Sequence, residues 1–278
     1  MIDSPAHSVA SVASEMLPKE TAGRANLSSA VRPILLFVTA FALNISPHEA
    51  AHALAAYLMG FSSTLFQMWV NPDAAPATPA QLAVIACAGP IFSLIVGIVC
   101  WLLYTKAYKT KRAGLFFLMM ATMGVYSFLG PLAGIAFGGD FNNAAILFFE
   151  ASKPVLYLAS GVGSALLGAF MFVMGMELSR WGPPAFGRME NAICTTAAPW
   201  IIGTALSILV YLPLPRFLIA SAISGSSFWA FAVIGAAFGY SRTRTSKAAP
   251  PLSLLDLILL GVALTFVRVL AHGIRLSH

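Results

Sequence analysis

Seven long apolar segments dominate the sequence and decide its class of fold. Each contains at least the about 20 residues that a helix needs to cross a hydrocarbon core about 30 Å thick. Apolar and polar residues do not alternate along them, as they would in the strands of a membrane barrel. The sequence therefore predicts an all-α polytopic membrane protein, a transmembrane bundle of about seven helices. The segments span residues 31–59, 80–104, 114–137, 155–178, 193–212, 217–240 and 252–272.

The scarcity of charge supports the same class. Only 9% of the residues are charged, whereas a soluble domain carries about 25%. Such a chain has too few charges to cover a surface that faces water, which excludes a soluble enzyme, a nucleic-acid-binding protein and a disordered protein. The expected partner is the lipid bilayer, and we expect a bacterial inner membrane because the sequence shows no organellar signal.

Basic residues cluster in alternate loops and predict the topology. If the N-terminus is cytoplasmic, 12 of the 16 Lys and Arg residues lie on the cytoplasmic side, and residues 60–79 on the other side contain none. The positive-inside rule therefore favours a cytoplasmic N-terminus and an outer C-terminus. The 12 residues are Lys19, Arg24, Arg32, Lys106, Lys109, Lys111, Arg112, Arg180, Arg188, Arg242, Arg244 and Lys247.

An HExxH motif lies in the second half of the first apolar segment. His48 and His52 are four residues apart, so in a helix both imidazoles reach one ion. Zinc in catalytic sites binds three protein ligands and a water, and Glu49 stands where it can take a proton from that water. Burying one acidic residue in the membrane costs about 2.5–3.5 kcal/mol on insertion scales. A metal ion would compensate for that cost; the alternatives are a hydrogen-bonded polar cluster between helices and a stretch that lies at the membrane interface.

A second interpretation concerns the start of the motif. Ser46, Pro47 and Glu49 together form the pattern of a helix N-terminus, with a capping box and a proline at the first helical position. This pattern predicts that the first helix breaks near residues 44–46 and restarts at Pro47. Glu49 would then serve as a cap, and we favour the catalytic role over that one.

The string HEAAHALAAYLMG, followed by AGPIFSLIVG, resembles the site-2 protease family of intramembrane zinc metalloproteases. The resemblance covers about residues 31–150 and implies a Gly-Pro-containing helix, here Gly89-Pro90, and an Asp ligand from a later helix. Asp140 fits that position, after the third segment. Asp73 stands in an Asn-Pro-Asp string that also matches the family, but it precedes the Gly-Pro helix. We expect zinc bound by His48, His52 and Asp140, because these elements fall on one side of the predicted topology.

Neighbouring residues have weaker assignments. Gly138 and Gly139 would let a substrate backbone approach closely, and Asn142 would hydrogen-bond to it; the alternative is a plain turn. Glu177 falls at the opposite membrane face, and Glu150 lies further along the outer loop than Asp140.

The resemblance implies a zinc endopeptidase that hydrolyses membrane-associated protein substrates, with Glu49 as the general base. The chain departs from the family at Ala51, Ser93 and Phe141, where Gly, Asn and Gly are common. A metal-binding or solute-transporting bundle, or an inactive protease-like fold, therefore remains the alternative. The predicted organisation is a flexible tail over residues 1–30, a metalloprotease-like core over 31–150 and additional helices of unknown role over 151–278.

Overall fold

The computed structural model describes residues 19–73, 77–183, 186–240 and 250–277. Helices make up most of these residues, and the described part also contains three short strands. The helices are α1 (Lys19–Leu58), α2 (Pro79–Leu103), α3 (Gly114–Ala133), α4 (Asp140–Leu147), α5 (Lys153–Leu178), α6 (Arg188–Tyr211), α7 (Arg216–Ser226), α8 (Trp229–Gly239) and α9 (Leu254–Leu270). The strands are β1 (Ser63–Leu65), β2 (Val70–Pro72) and β3 (Ile274–Leu276).

Among the described residues, six helical spans are long and apolar enough to cross a membrane. They match the first six segments predicted from the sequence and confirm a helical membrane bundle. The seventh predicted segment forms α9, which has 17 residues and is therefore about 25 Å long. The spans are Ser28–Leu58, Pro79–Tyr108, Gly114–Ala133, Lys153–Trp181, Arg188–Tyr211 and Leu218–Gly239.

Helix α1 differs from the prediction in two ways. It begins at Lys19, so residues 19–30 of the predicted flexible tail are helical, and residues 1–18 lie outside the described part. The predicted break near residues 44–46 is also wrong, because α1 continues through Pro33 and Pro47 to Leu58. The Ser46 hydroxyl donates a hydrogen bond to the Gln67 carbonyl at 3.0 Å instead of capping a helix.

Small residues allow the membrane helices to pack closely. A Cβ on Gly124 of α3 would lie 2.5 Å from the Ser93 carbonyl oxygen of α2, and one on Gly235 of α8 would lie 2.0 Å from the Phe172 carbonyl oxygen of α5. Lipid tails are as apolar as side chains, so contact between helices in a membrane depends on such close packing. The main core lies between α1, α3, α5 and α8 and includes Leu36, Phe37, Leu118, Met119, Leu167, Met171 and Trp229.

A small antiparallel sheet closes one end of the bundle. Its strand order is β2-β1-β3, so the C-terminal strand pairs with the hairpin that follows α1. Leu65 of β1 packs against Ala53 of α1 and Leu270 of α9. The sheet therefore places residues 60–73 and the C-terminus at the same end, in agreement with the predicted topology, and that end carries the HExxH motif.

Candidate metal centre

Helix α1 presents one polar face to its neighbours at this end. Asn44, His48 and His52 are four residues apart, so they lie in one row along the helix. All three are buried. The Asn44 amide donates to Ser127 Oγ of α3 at 2.6 Å. This bond helps to fix the rotation of α1, so that both histidines point into the bundle.

The side chains of His48, His52 and Asp140 converge on one point. The two Nε2 atoms lie 3.2 Å apart, and Asp140 Oδ2 lies 3.4 Å from that of His48 and 3.6 Å from that of His52. Ligands at about 2.0–2.1 Å from a tetrahedral zinc ion are about 3.3–3.4 Å from one another. The three atoms therefore already have the spacing of one face of a tetrahedral metal site.

Residues of α2 contact the Nδ1 atoms of both imidazoles, on the side away from Asp140. His52 Nδ1 lies 2.6 Å from the Ile85 carbonyl oxygen, and His48 Nδ1 lies 3.0 Å from Ser93 Oγ. A carbonyl oxygen only accepts hydrogen bonds, so His52 donates from Nδ1 and keeps a lone pair on Nε2 for an ion. Such outer partners orient the histidine ligands of metal sites and fix their tautomers.

Gly89 lies where α2 passes the two histidines. A Cβ at this position would lie 2.3 Å from His52 Nε2 and 2.7 Å from His48 Nε2. Only glycine allows the α2 backbone to pass this close to the two imidazoles. The Gly-Pro helix implied by the family resemblance thus lies directly against the histidines.

A tight turn carries Asp140 to the site. Gly138 and Gly139 have φ angles of 134° and 87°, which glycine adopts readily and other residues avoid. No described atom of the chain lies close to a Cβ built at either position, so the turn needs glycine for its conformation, and the close approach of a substrate backbone stays a prediction. The Asn142 amide, predicted to bind substrate, donates to the Ile135 carbonyl oxygen at 2.7 Å and ties the turn together.

The site is open on the Asp140 side. The Asp140 side chain is 32% exposed, whereas those of His48 and His52 are 7% and 5% exposed. Glu49 is partly buried, and its carboxylate interacts electrostatically with all three of these residues. A molecule that enters past Asp140 would therefore meet the ligand atoms first.

The other acidic candidates lie elsewhere. Asp73 is exposed just after β2, where its backbone N–H donates to the Ser62 carbonyl oxygen. Glu177 accepts a hydrogen bond from Tyr104 at the opposite end of the bundle, and Glu150 is exposed beyond α4. In the described part of the chain, His48, His52 and Asp140 form the one group of three such residues with a metal-ligand arrangement.

In the sequence, Ser93 stands out only as a departure from the family pattern, and the role of the Ile85 carbonyl is not predicted. Their spacing is a sequence signal that could have grouped them, because Ile85, Gly89 and Ser93 are four residues apart and share one face of α2.

Comparisons of the chain with protein-family models, with curated proteins and with solved structures find no match. The assignment therefore depends on the geometry of these residues alone.

Proposed function

We propose that this protein is an intramembrane zinc metalloprotease that hydrolyses peptide bonds of membrane-associated substrates. The observation that carries the proposal is the convergence of His48, His52 and Asp140 at ligand spacing, with Glu49 beside them. Two imidazoles and one carboxylate are a donor set of catalytic zinc sites, which leave the fourth position open. A bound zinc ion supplies a Lewis acid that activates water and polarises a carbonyl group.

The residues around the ligands have distinct roles in this proposal. Glu49 takes a proton from the attacking water and returns it to the leaving amine. Ser93 and the Ile85 carbonyl hold the histidine rings in place, and Gly89 leaves them room. Because the histidines are buried and Asp140 is partly exposed, the substrate backbone enters from the Asp140 side.

The substrate class follows from the position of the site. The ligands belong to helices of a membrane bundle, at the end closed by the sheet. A substrate segment must therefore lie in or at the membrane and be unwound enough to expose its peptide bonds. We place the N-terminus in the cytoplasm on the distribution of basic residues, so the site faces the outer half of what we propose is a bacterial inner membrane.

The decisive experiment compares Glu49→Gln with the wild-type protein in detergent micelles. Both proteins are loaded with zinc and incubated with a panel of single-span peptides that carry Gly-Pro helix breaks, and products are identified by mass spectrometry. We expect the wild type to cleave and the variant to retain about one zinc per chain but lose cleavage. Glu150→Gln, an exposed glutamate beyond α4, is the matched control and should cleave normally.

Two outcomes would contradict the proposal. Equal cleavage by wild type and Glu49→Gln would show that Glu49 is not the general base. Zinc binding without cleavage of any peptide by the wild type would instead favour a metal-binding or transporting bundle, which needs the ligands but not Glu49, or an inactive protease-like fold.

A further inference from the structure

An apolar cleft opens between three membrane helices, α2, α3 and α5. Its volume is about 340 Å³, which is at the lower end of the range for small-molecule sites. Every side chain that lines it is apolar. Because its walls are membrane-spanning helices, the cleft lies at the depth of lipid tails. The lining residues are Ile98 and Trp101 of α2, Ala121 and Val125 of α3, and Phe170 and Met174 of α5.

A polar cluster lies just beyond the end of this cleft that is away from the metal centre. The Tyr104 hydroxyl donates to Glu177 Oε1 at 2.6 Å, and this bond joins the ends of α2 and α5. Two cations flank the same carboxylate, with Lys109 Nζ at 3.5 Å from Oε1 and Arg180 Nε at 3.1 Å from Oε2.

The cluster and the cleft are one helical turn apart. Trp101 precedes Tyr104 by three residues, and Met174 precedes Glu177 by three, which corresponds to about 4.5 Å along each helix. The same offset on two walls places the polar cluster about one turn beyond the cleft, at the end away from the metal centre. A molecule with one end in the cleft would thus have its other end among these charges.

Positive charge predominates at this end. One carboxylate faces two cations, and the Lys109 and Arg180 side chains are each 45% exposed, whereas that of Glu177 is 14% exposed. Lys106 and Lys111 are exposed on the same connection between α2 and α3, where residues 104–113 include no acidic residue. Lys109 and Arg180 therefore have exposed N–H donors that can bind an anionic group from the membrane.

We propose that this cleft binds an anionic phospholipid, with one acyl chain between α2, α3 and α5 and the phosphate at Lys109 and Arg180. Guanidinium and ammonium groups form strong charge-assisted hydrogen bonds with phosphate oxygens. The apolar lining matches the tail, and the excess of cations matches the headgroup charge. This site is separate from the metal centre and does not depend on the proposed protease activity.

The test is native mass spectrometry of the full-length protein released from micelles with equal amounts of phosphatidylglycerol and phosphatidylcholine of identical chains. We expect the wild type to retain phosphatidylglycerol preferentially. Lys109→Gln and Arg180→Gln should each reduce that preference about fivefold, the effect expected of one basic residue near an anionic headgroup. Lys153→Gln, at the other end of the same helix α5, is the matched control and should keep the preference.

Two further variants test the cleft and the charge separately. Ile98→Trp fills the cleft without changing charge and should reduce retention of both lipids. Glu177→Gln keeps an acceptor for Tyr104 but removes the competing carboxylate, so the preference for phosphatidylglycerol should increase. Equal retention of the two lipids by the wild type would overturn the proposal. So would a preference that persists in both charge variants, or a cleft variant that binds lipid as the wild type does.

Discussion

Ser93 Oγ lies 3.0 Å from His48 Nδ1, on the side of the imidazole that faces away from Asp140. Ser93 is fully buried, so water does not compete for this contact. The Ile85 carbonyl oxygen, two turns earlier on α2, contacts His52. One face of α2 therefore contacts both histidines. The histidine orientations therefore depend on how α2 packs against α1.

Removal of the Ser93 hydroxyl should weaken metal binding. We expect Ser93→Ala to lower zinc affinity about 10–100-fold, the usual effect of losing an outer partner of a histidine ligand. Ser93→Thr, which restores a hydroxyl, should recover most of the affinity. The measurement is competition for zinc against a chelator of known affinity.

Ser207→Ala is the control for this experiment, because Ser207 is a buried serine of α6 whose hydroxyl has no hydrogen-bond partner among the described residues. Its zinc affinity should equal that of the wild type. If Ser93→Ala binds zinc as tightly as Ser207→Ala does, the hydroxyl does not position His48.

Gly89→Ala should disrupt the site by a steric effect alone. The added Cβ would lie 2.3 Å from His52 Nε2, so the imidazole must move and the spacing of the ligands is lost. We expect zinc content to fall from about one per chain to a small fraction of that, while the helical circular dichroism spectrum stays unchanged. Gly161→Ala, in α5 where the space around a Cβ is open, should retain zinc. Full zinc content in Gly89→Ala would show that the imidazoles do not form the site.

Asp140 should be distinguishable from Asp73 by metal analysis. Asp140→Ala removes the carboxylate that lies 3.4 Å from His48 Nε2, and two imidazoles alone hold zinc much less tightly than three ligands do. We expect Asp140→Ala to lose most of its zinc during dialysis, whereas Asp73→Ala keeps it. The reverse result would show that the third ligand is Asp73, in the segment after β2.

The sequence was sufficient to predict the parts of the site that depend on local spacing. The positions of His48 and His52 on one helix face follow from a separation of four residues. Chain order and depth in the membrane favour Asp140 over Asp73, and the structure brings Asp140 to the two histidines. The contacts of Ser93 and the Ile85 carbonyl depend instead on the register between α1 and α2, which local spacing does not determine.

Local signals also misled where tertiary contacts outweighed them. Ser46 and Pro47 form a good helix-start pattern, yet the Ser46 hydroxyl bonds to Gln67 of the hairpin and α1 continues unbroken. The apolar segment 217–240 forms one membrane span, as predicted, but its helix is interrupted by a turn at residues 227–228, between α7 and α8. The strands have three residues each, too few for a periodicity signal.

Removing one partner of a buried ion pair should destabilise the end opposite the metal centre. Arg32 Nε of α1 lies 2.9 Å from Asp256 Oδ2 of α9, and the two side chains are 1% and 5% exposed. Asp256 also accepts a hydrogen bond from the Ser253 hydroxyl at 2.7 Å. Asp256→Ala would leave the Arg32 charge buried without its partner, so we expect a loss of about 3–5 kcal/mol in the free energy of unfolding.

The double variant Arg32→Met/Asp256→Leu removes both charges and fills their space with apolar side chains, so it should be much more stable than Asp256→Ala. The measurement is reversible unfolding of each variant in mixed micelles with increasing denaturing detergent, followed by circular dichroism. An Asp256→Ala protein that unfolds at the same detergent fraction as the wild type would show that the pair does not hold α1 to α9. A double variant as unstable as Asp256→Ala would show instead that stability depends on the pair itself and not on the avoidance of an unpaired charge.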